Sequence, residues 1–116
     1  MINKKYRFHS RGGVQFVQKN GRKVRSGLIG LTFLAETRRK TPRIAVVVSK
    51  KVAKTAVLRN RIRRRLFETV RIHVLPDLAT SHDLIFFAND AKIADIEHEK
   101  LIQEVKDLVK KAKLAK

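Results

Sequence analysis

Short apolar runs with strand-like character recur along the chain. Arg43–Ser49 is almost continuously apolar and rich in β-branched residues, a pattern typical of an interior strand that is covered on both faces. Val24–Arg25, Leu28–Glu36 and Leu84–Ala88 predict three more strands. Within Leu28–Glu36 the apolar residues both alternate and run together, so neither face of this strand is clearly polar.

Apolar residues at helical spacing predict two longer helices and a short one. Thr55 is a suitable N-cap for a helix that begins at Ala56 and ends near Leu75, because Pro76 cannot continue it. The last helix should span about Asp95–Ala112, whose apolar residues form one stripe. Val14–Gln18 is interpreted as a short helix rather than a strand.

The order of these elements predicts one α+β domain over residues 1–116. A chain of 116 residues accommodates a single core, and no linker divides it. The long helix between the strands Arg43–Ser49 and Leu84–Ala88 implies a crossover, so these two strands should lie parallel in one sheet. Residues 1–12 are basic and contain glycine, and we expect them to form an irregular N-terminal arm.

Several protein classes are excluded by what the chain lacks. It has no cysteine, which excludes disulfides, thiolate metal sites and a cysteine nucleophile. No apolar run approaches the ~20 residues that span a bilayer, and the basic N-terminus is not followed by the apolar segment of a secretory signal. We therefore expect a cytoplasmic protein without a membrane partner.

The net charge of the chain is large and unevenly distributed, and it indicates what kind of partner the protein binds. The chain has 28 Lys and Arg against 10 Asp and Glu, for a net charge of +18. Residues 1–76 carry a net +19, whereas residues 77–116 carry −1. This asymmetry indicates a face directed at a polyanion, and nucleic acid is the leading candidate because Lys and Arg contacts to phosphate dominate such binding.

The densest positive charge falls on the predicted helix that begins at Ala56. Its core-facing stripe consists of Leu58, Ile62, Leu66 and Val70. The opposite arc carries Asn60, Arg61, Arg64, Arg65 and Arg71. Arg59 and Arg63 should lie at the edge of the stripe with their heads in water. A merely solvated face usually alternates in charge sign, whereas these arginines repel one another at i,i+4 spacing, which favours a face that a polyanion neutralises.

The strand and the helix together carry a recognisable motif. Arg43–Lys51 is an apolar strand that ends in Ser-Lys-Lys, and after a short spacer Arg59–Arg64 reads Arg-Asn-Arg-Ile-Arg-Arg. This pairing closely resembles the signature of the bacterial ribonuclease P protein family. The match is close over residues 43–72 and looser elsewhere, although the order of elements agrees throughout. The chain departs from the family at Arg65, where an apolar residue is common.

The resemblance implies a fold and a function. The fold is a single compact α+β domain with a central four-stranded mixed sheet packed with helices in the order α-β-β-β-α-β-α. It is ribosomal protein S5 domain 2-like, with a left-handed βαβ crossover. The function is to assist a catalytic RNA that removes the 5′ leader of precursor tRNA. The implied partners are that RNA subunit and precursor tRNA, and the implied cofactors are magnesium ions bound mainly by the RNA partner and substrate.

Two groups of site residues follow from the motif, the charge pattern and the resemblance. The predicted RNA-binding residues are Ser49, Lys50, Lys51, Lys54, Arg59, Asn60, Arg61, Arg63, Arg64 and Arg65. In the family, a cleft between the first helix and the sheet binds the single-stranded leader. The aromatic candidates for that cleft are Phe8, Phe16 and Phe33. Phe86 and Phe87 should point to opposite faces of the sheet, as core residues or with one of them in the cleft.

Protein-based catalysis finds no support in the sequence. A two-metal nuclease needs a tight cluster of carboxylates, and the arginine-rich segment contains only Glu68. The four histidines are scattered without metal-ligand spacing. We therefore predict no catalytic residue and no metal-binding residue in the protein, which is not expected to cleave RNA alone.

Two alternatives remain beside the ribonuclease P subunit. A basic ribosomal or other structural RNA-binding protein would explain the charge and the fold but not the paired motifs. A DNA-binding module is disfavoured, because the basic helix shows no dimerisation seam.

Overall fold

The structure is a computed structural model that describes residues 19, 21–34, 43–74, 76 and 83–112. The proposed N-terminal arm at residues 1–12 and the predicted short helix Val14–Gln18 lie outside the described residues. None of the helices in the described part of the chain is both long and apolar enough to cross a membrane.

Four strands form one mixed sheet, as predicted. They are β1 (Arg22–Arg25), β2 (Ile29–Leu34), β3 (Arg43–Val48) and β4 (Asp83–Ala88), and their spatial order is β1-β2-β4-β3. β1 pairs antiparallel with β2, and β2 pairs antiparallel with β4. β3 and β4 pair in parallel from Arg43 opposite Asp83 to Val48 opposite Ala88. The parallel pair confirms the crossover inferred from the strand-helix-strand order.

The crossover helix, α1, spans Ala56–His73. Its predicted N-cap is confirmed, because the Thr55 hydroxyl accepts a hydrogen bond from the Leu58 amide at 3.2 Å. The helix ends with Val74 as its C-cap, slightly earlier than the predicted Leu75. A proline at position 76 disfavours helical geometry in the residue before it, which shortens the helix by its last residues.

The last helix begins later than predicted. The structure has a 3₁₀ turn at Ala91–Ala94 and then α2 at His98–Lys111, rather than one helix over Asp95–Ala112. The Asp90 carboxylate accepts a hydrogen bond from the Lys92 amide at 2.9 Å and caps the turn. The 3₁₀ turn buries Ile93 and Ala94, so these residues pack as a separate connection between β4 and α2.

The main core lies between one face of the sheet and the two helices. From α1 it contains Ile62, Leu66 and Val70, each with no exposed surface, which confirms most of the predicted stripe. Leu58, the first residue of the stripe, is only half-buried at the edge. The other sheet face carries a smaller cluster, in which Ala45 and Ile85 are buried together with half-buried Leu34, Val47 and Phe87.

The turn between β1 and β2 is tied to α2. The Ser26 hydroxyl donates to the Glu104 carboxylate, and the Lys111 ammonium lies 3.4 Å from the Arg25 carbonyl oxygen. These contacts fix the outer strand β1 of the sheet against the last helix.

Candidate nucleic-acid interface

The loop between β3 and α1 presents three exposed lysines at one end of the sheet. The amides of Val52 and Ala53 both donate to the Ser49 carbonyl, at 3.2 and 3.1 Å, and close a turn. Arg59 holds this loop from the helix side, because its Nη1 atom donates to the carbonyl oxygens of Ala53 at 3.0 Å and Lys54 at 3.1 Å. The exposed side chains around the turn are Ser49, Lys50, Lys51 and Lys54.

The exposed arc of α1, the helix that directly follows this loop, is also basic. Asn60, Arg61 and Arg64 are exposed, and Arg63 is half-buried. The Arg63 Nη1 atom donates to Asn60 Oδ1 at 2.7 Å, which orients both side chains. Asn60, Arg63 and Arg64 line an open cleft of about 340 Å³ with Phe67 at its floor.

Arg64 differs from the other arginines of α1. Within the described residues, its guanidinium makes no hydrogen bond or ion pair with another protein group. Lys50, Lys51 and Lys54 share this property. We call these four cations the basic face, and the described part of the protein does not neutralise their charge.

Arg65 is a correction to the predicted arc. The sequence placed it on the exposed side of α1, but its guanidinium is half-buried against the 3₁₀ turn. Its Nη1 atom donates to the Ile93 carbonyl at 2.6 Å, and its Nη2 atom donates to the Ile96 carbonyl at 2.7 Å. Both terminal nitrogens thus bind the protein backbone, and we do not carry Arg65 into the RNA-binding set. Its apolar packing role passes to Leu66 and Phe67, which are buried.

Two further arginines of α1 pair with carboxylates. Arg61 Nη2 lies 3.0 Å from Asp95 Oδ1, with both side chains largely exposed. Arg71 contacts Glu68 through two hydrogen bonds, at 3.2 Å from Nε and 2.8 Å from Nη2. This hydrogen bonding lowers the pKa of the Glu68 carboxyl from 4.5 to about 2 and raises the pKa of Arg71. Glu68 therefore stays ionised and offsets the charge of Arg71 at the far end of the exposed arc of α1.

A second candidate surface is a cleft on the sheet face away from α1 and α2. It has a volume of about 480 Å³. Lys23 and Arg25 of β1 lie opposite Thr32 and Gly30 of β2, and Phe87 of β4 lies opposite Gly30 on the other side. The cleft thus combines two cations, an aromatic ring and small or polar residues, and it is lined by Lys23, Val24, Arg25, Gly30, Leu31, Thr32, Phe87 and Asn89.

Gly30 keeps the floor of this cleft open. A Cβ atom at Gly30 would lie 3.4 Å from the side-chain nitrogen Nδ2 of Asn89 and 3.6 Å from Phe87 Cβ. Any longer side chain would fill the space between β1 and Phe87, so glycine preserves the volume that a ligand would occupy.

The predicted cleft aromatics need one correction. Phe33 is only 6% exposed and belongs to the main core under the helices. It is one strand position out of phase with Gly30 and Thr32, which face the cleft. Phe8 and Phe16 lie outside the described residues. The aromatic ring that the described structure puts in the cleft is Phe87, one of the two neighbouring phenylalanines that the sequence left open.

Lys23 and Arg25 were not predicted as site residues. The signal that could have found them is the alternation around Val24, which is half-buried against the core while its two basic neighbours point to the other face. The predicted strand Val24–Arg25 was too short to show this alternation.

No metal-binding cluster is found in the described ranges of the chain: no three of their His, Asp and Glu side chains lie close enough together to hold an ion. The cations of the two surfaces suit phosphate oxygens, and the Phe87 ring of the cleft suits a stacked flat ring.

A basic helix and a basic loop on one four-stranded α+β domain indicate a small nucleic-acid-binding protein, and the comparisons with known proteins specify RNA. A family model described as ribonuclease P matches residues 2–113. The ribonuclease P protein component of Roseiflexus castenholzii is 33% identical over 96% of this chain and 88% of its own length. That of Brucella suis is 37% identical over 78% of this chain and 70% of its own length.

Solved structures show the same fold. The RNase P protein of Staphylococcus aureus matches with a TM-score of 0.81 and 24% identity, over 96% of this chain and 98% of that one. The protein from Thermotoga maritima matches with a TM-score of 0.78 and 17% identity, over 90% and 96% of the two chains. The fold class expected from the sequence is confirmed.

The chain belongs to the ribonuclease P protein family. It is a protein subunit of ribonuclease P, a ribonucleoprotein endoribonuclease of tRNA processing. The alternative of a ribosomal or purely structural RNA-binding protein is not favoured by these matches.

Proposed function

We propose that the chain binds the catalytic RNA of ribonuclease P through its basic face and the 5′ leader of precursor tRNA through the sheet cleft. The observation that carries this proposal is that three neighbouring loop lysines, Lys50, Lys51 and Lys54, and Arg64 of the helix that follows have no protein partner in the described structure. Cations left unpaired on one surface are suited to phosphate oxygens, since each such contact releases a counterion from the nucleic acid.

The arrangement of the basic face supports binding to an RNA backbone. The loop lysines act as flexible point charges, whereas Arg64 offers a planar fork that matches two phosphate oxygens. Asn60 and Arg63 support the same surface through their mutual hydrogen bond. Ser49, Arg59 and Arg61 remain in the proposed set, Arg59 as the residue that holds the loop and Arg61 as a contact shared with Asp95.

The chemistry of the sheet cleft supports binding to single-stranded RNA. Phe87 gives a ring on which a base can stack, a contact worth roughly 1–3 kcal/mol per base. Lys23 and Arg25 flank it with positive charge for the phosphates. An unpaired leader exposes its bases for such stacking, whereas the paired bases of a tRNA helix are already stacked on one another.

In the proposed function, the RNA subunit rather than the protein cleaves the phosphodiester bond. Magnesium ions bound mainly by the RNA subunit and the substrate supply the Lewis-acid chemistry of phosphodiester hydrolysis. The protein residues bind and orient RNA, and their positive charge offsets the repulsion between catalytic RNA and substrate, which lowers the magnesium concentration that assembly needs. We place this activity in the cytoplasm.

A cleavage assay tests the proposal. A bacterial ribonuclease P RNA is incubated with precursor tRNA over a series of magnesium concentrations, with and without the protein. We expect the protein alone to give no cleavage and the protein with RNA to shift cleavage to lower magnesium. Failure of the protein to stimulate any bacterial ribonuclease P RNA would contradict the proposed function.

A matched pair of triple variants tests whether the basic face is responsible for the stimulation of cleavage. Replacing Lys50, Lys51 and Lys54 with glutamine should abolish most of the stimulation. The control replaces three exposed lysines of α2, which removes the same charge from Lys100, Lys106 and Lys110. Equal losses in both variants would mean that net charge, rather than the basic face, supports the activity.

A further inference from the structure

The segment between β4 and α2 is docked on the basic helix at a defined place. Arg65 donates to the carbonyl oxygens of Ile93 and Ile96 at 2.6 and 2.7 Å. Ile93 and Ala94 are buried beside it, at 0% and 1% exposure. Charge-assisted hydrogen bonds from one guanidinium to two carbonyls restrict both ends of this short stretch.

Asp95 lies between these two anchored carbonyls. Its amide donates to the Lys92 carbonyl at 3.0 Å, and its carboxylate lies 3.0 Å from Arg61 Nη2. Arg61 and Arg65 are separated by one turn of α1. Arg65 binds the backbone of the segment, and Arg61 forms an ion pair with the Asp95 carboxylate of the same segment. The carboxylate of Asp95 is 74% exposed, and so an approaching phosphate can reach the same guanidinium.

We infer that Asp95 is a built-in competitor of RNA for Arg61 and thereby limits the affinity of the basic helix for the catalytic RNA. This inference rests on the proposed function. Carboxylate and phosphate oxygens use the same donors of a guanidinium. An RNA phosphate at Arg61 must therefore displace Asp95, or else bind beside a negative charge.

The neighbouring acid on α1 does not play this role. Glu68 is hydrogen-bonded to Arg71 through two contacts. Arg64 has no carboxylate partner in the described part of the chain. Asp95 thus acts on Arg61 alone, and it produces two classes of arginine on one helix: Arg64, available at once, and Arg61, available only after exchange of partners.

The variant Asp95→Asn tests the inference. Asparagine keeps the shape and the backbone hydrogen bond of the residue but removes the competing charge. We expect Asp95→Asn to bind a bacterial ribonuclease P RNA about two- to fivefold more tightly, which is the range set by an exposed ion pair. Dissociation constants measured over a series of salt concentrations give the readout, and the gain should shrink as salt rises.

Two comparisons separate competition from a general change in charge. In an Arg61→Gln background, Asp95→Asn should give little or no gain, since the contested guanidinium is absent. The control Asp107→Asn removes the same charge from α2, where the carboxylate accepts from Gln103 at 2.7 Å, and it should give a smaller gain than Asp95→Asn. An equal gain with Arg61 absent, or no gain in the native background, would overturn the inference.

The same experiment distinguishes failure of the inference from failure of the proposed function. If the unaltered protein binds the ribonuclease P RNA without any response to Asp95→Asn, only the competition is wrong. If the unaltered protein does not bind this RNA, the proposed function itself is wrong. Thermal unfolding of Asp95→Asn should lie within a few degrees of the unaltered protein, the shift that loss of one exposed ion pair produces, and a larger drop would indicate a folding defect.

Discussion

At the scale of single residues, the arginines of α1 have the same charge but different tasks. Arg59 and Arg65 donate to backbone carbonyls of the loop and of the segment before α2. Arg63 orients Asn60, and Arg61 is shared with Asp95. Only the neighbours that each side chain has in the folded structure separate these roles, because a guanidinium binds a carbonyl, a carboxylate or a phosphate with the same nitrogen atoms.

Arg64→Gln should flatten the salt dependence of RNA binding. An arginine that neutralises one phosphate contributes a slope of up to about 1 to the plot of log K against log salt, and its removal lowers the slope by that amount. The measurement is a titration of a bacterial ribonuclease P RNA at several salt concentrations. Lys106→Gln on α2 is the control and should keep the slope. An unchanged slope for Arg64→Gln would show that this side chain faces water in the complex.

At the scale of elements, α1 is a helix with two chemically distinct sides that are both engaged. Ile62, Leu66 and Val70 pack on the sheet without exposed surface. The side toward the 3₁₀ turn Ala91–Ala94 is held by Arg65, so a polar clamp, in addition to apolar burial, fixes the helix against the segment before α2. This clamp explains how the fold accommodates an arginine at position 65 of the helix.

Arg65→Met should destabilise the fold while leaving the charge-dependent part of RNA binding nearly intact. The change removes two charge-assisted hydrogen bonds and leaves two partly buried carbonyls without their donor, at a cost of about 2–3 kcal/mol. Urea unfolding gives the free energy of unfolding. Arg64→Met is the matched control and should stay within about 0.5 kcal/mol of the unaltered protein. A stable Arg65→Met protein with a flatter salt slope would identify Arg65 as an RNA contact instead.

At the scale of the whole molecule, the two faces of the sheet have different roles: one forms the core, and the other forms the candidate binding cleft. One face carries the main core under α1 and α2, and the other carries the cleft with Lys23, Arg25 and Phe87. Because side chains alternate along a strand, neighbouring residues such as Phe86 and Phe87 contribute to different faces. Phe86 is fully buried in the core, whereas Phe87 lines the cleft.

Phe87→Leu should weaken binding of precursor tRNA more than binding of mature tRNA. Leucine keeps apolar contact but cannot stack on a base, and loss of one stacked base corresponds to about a fivefold or larger loss of affinity for the leader-containing substrate. The measurement compares dissociation constants of both tRNAs with the assembled protein-RNA complex. Phe33→Leu is the matched control in the core, expected to lower the free energy of unfolding by about 1 kcal/mol without selectivity for the leader. Equal effects of Phe87→Leu on both tRNAs would remove Phe87 from the leader site.

The sequence by itself determined the four strands, the crossover and the basic helix of this protein. Those features depend on local properties: β-branched runs such as Arg43–Ser49, a capping residue such as Thr55, and apolar residues that recur with the period of a helix. The family also followed from the sequence, because the motif at Arg59–Arg64 follows the Ser-Lys-Lys end of the strand after a short spacer. The charge asymmetry indicated the kind of partner for the same reason, since it requires only a count along the chain.

Only the tertiary structure decided which charges are available and which side of the sheet each ring occupies. The partners of Arg65 are 28 and 31 positions away in sequence, and Asp95 meets Arg61 through the docking of a turn that no local pattern predicts. Phe33 and Phe87 are equivalent as residue types, but strand register sends the first into the core and the second into the cleft. Hydrogen-bond partners and register depend on contacts between distant segments, and these form only when the chain has folded.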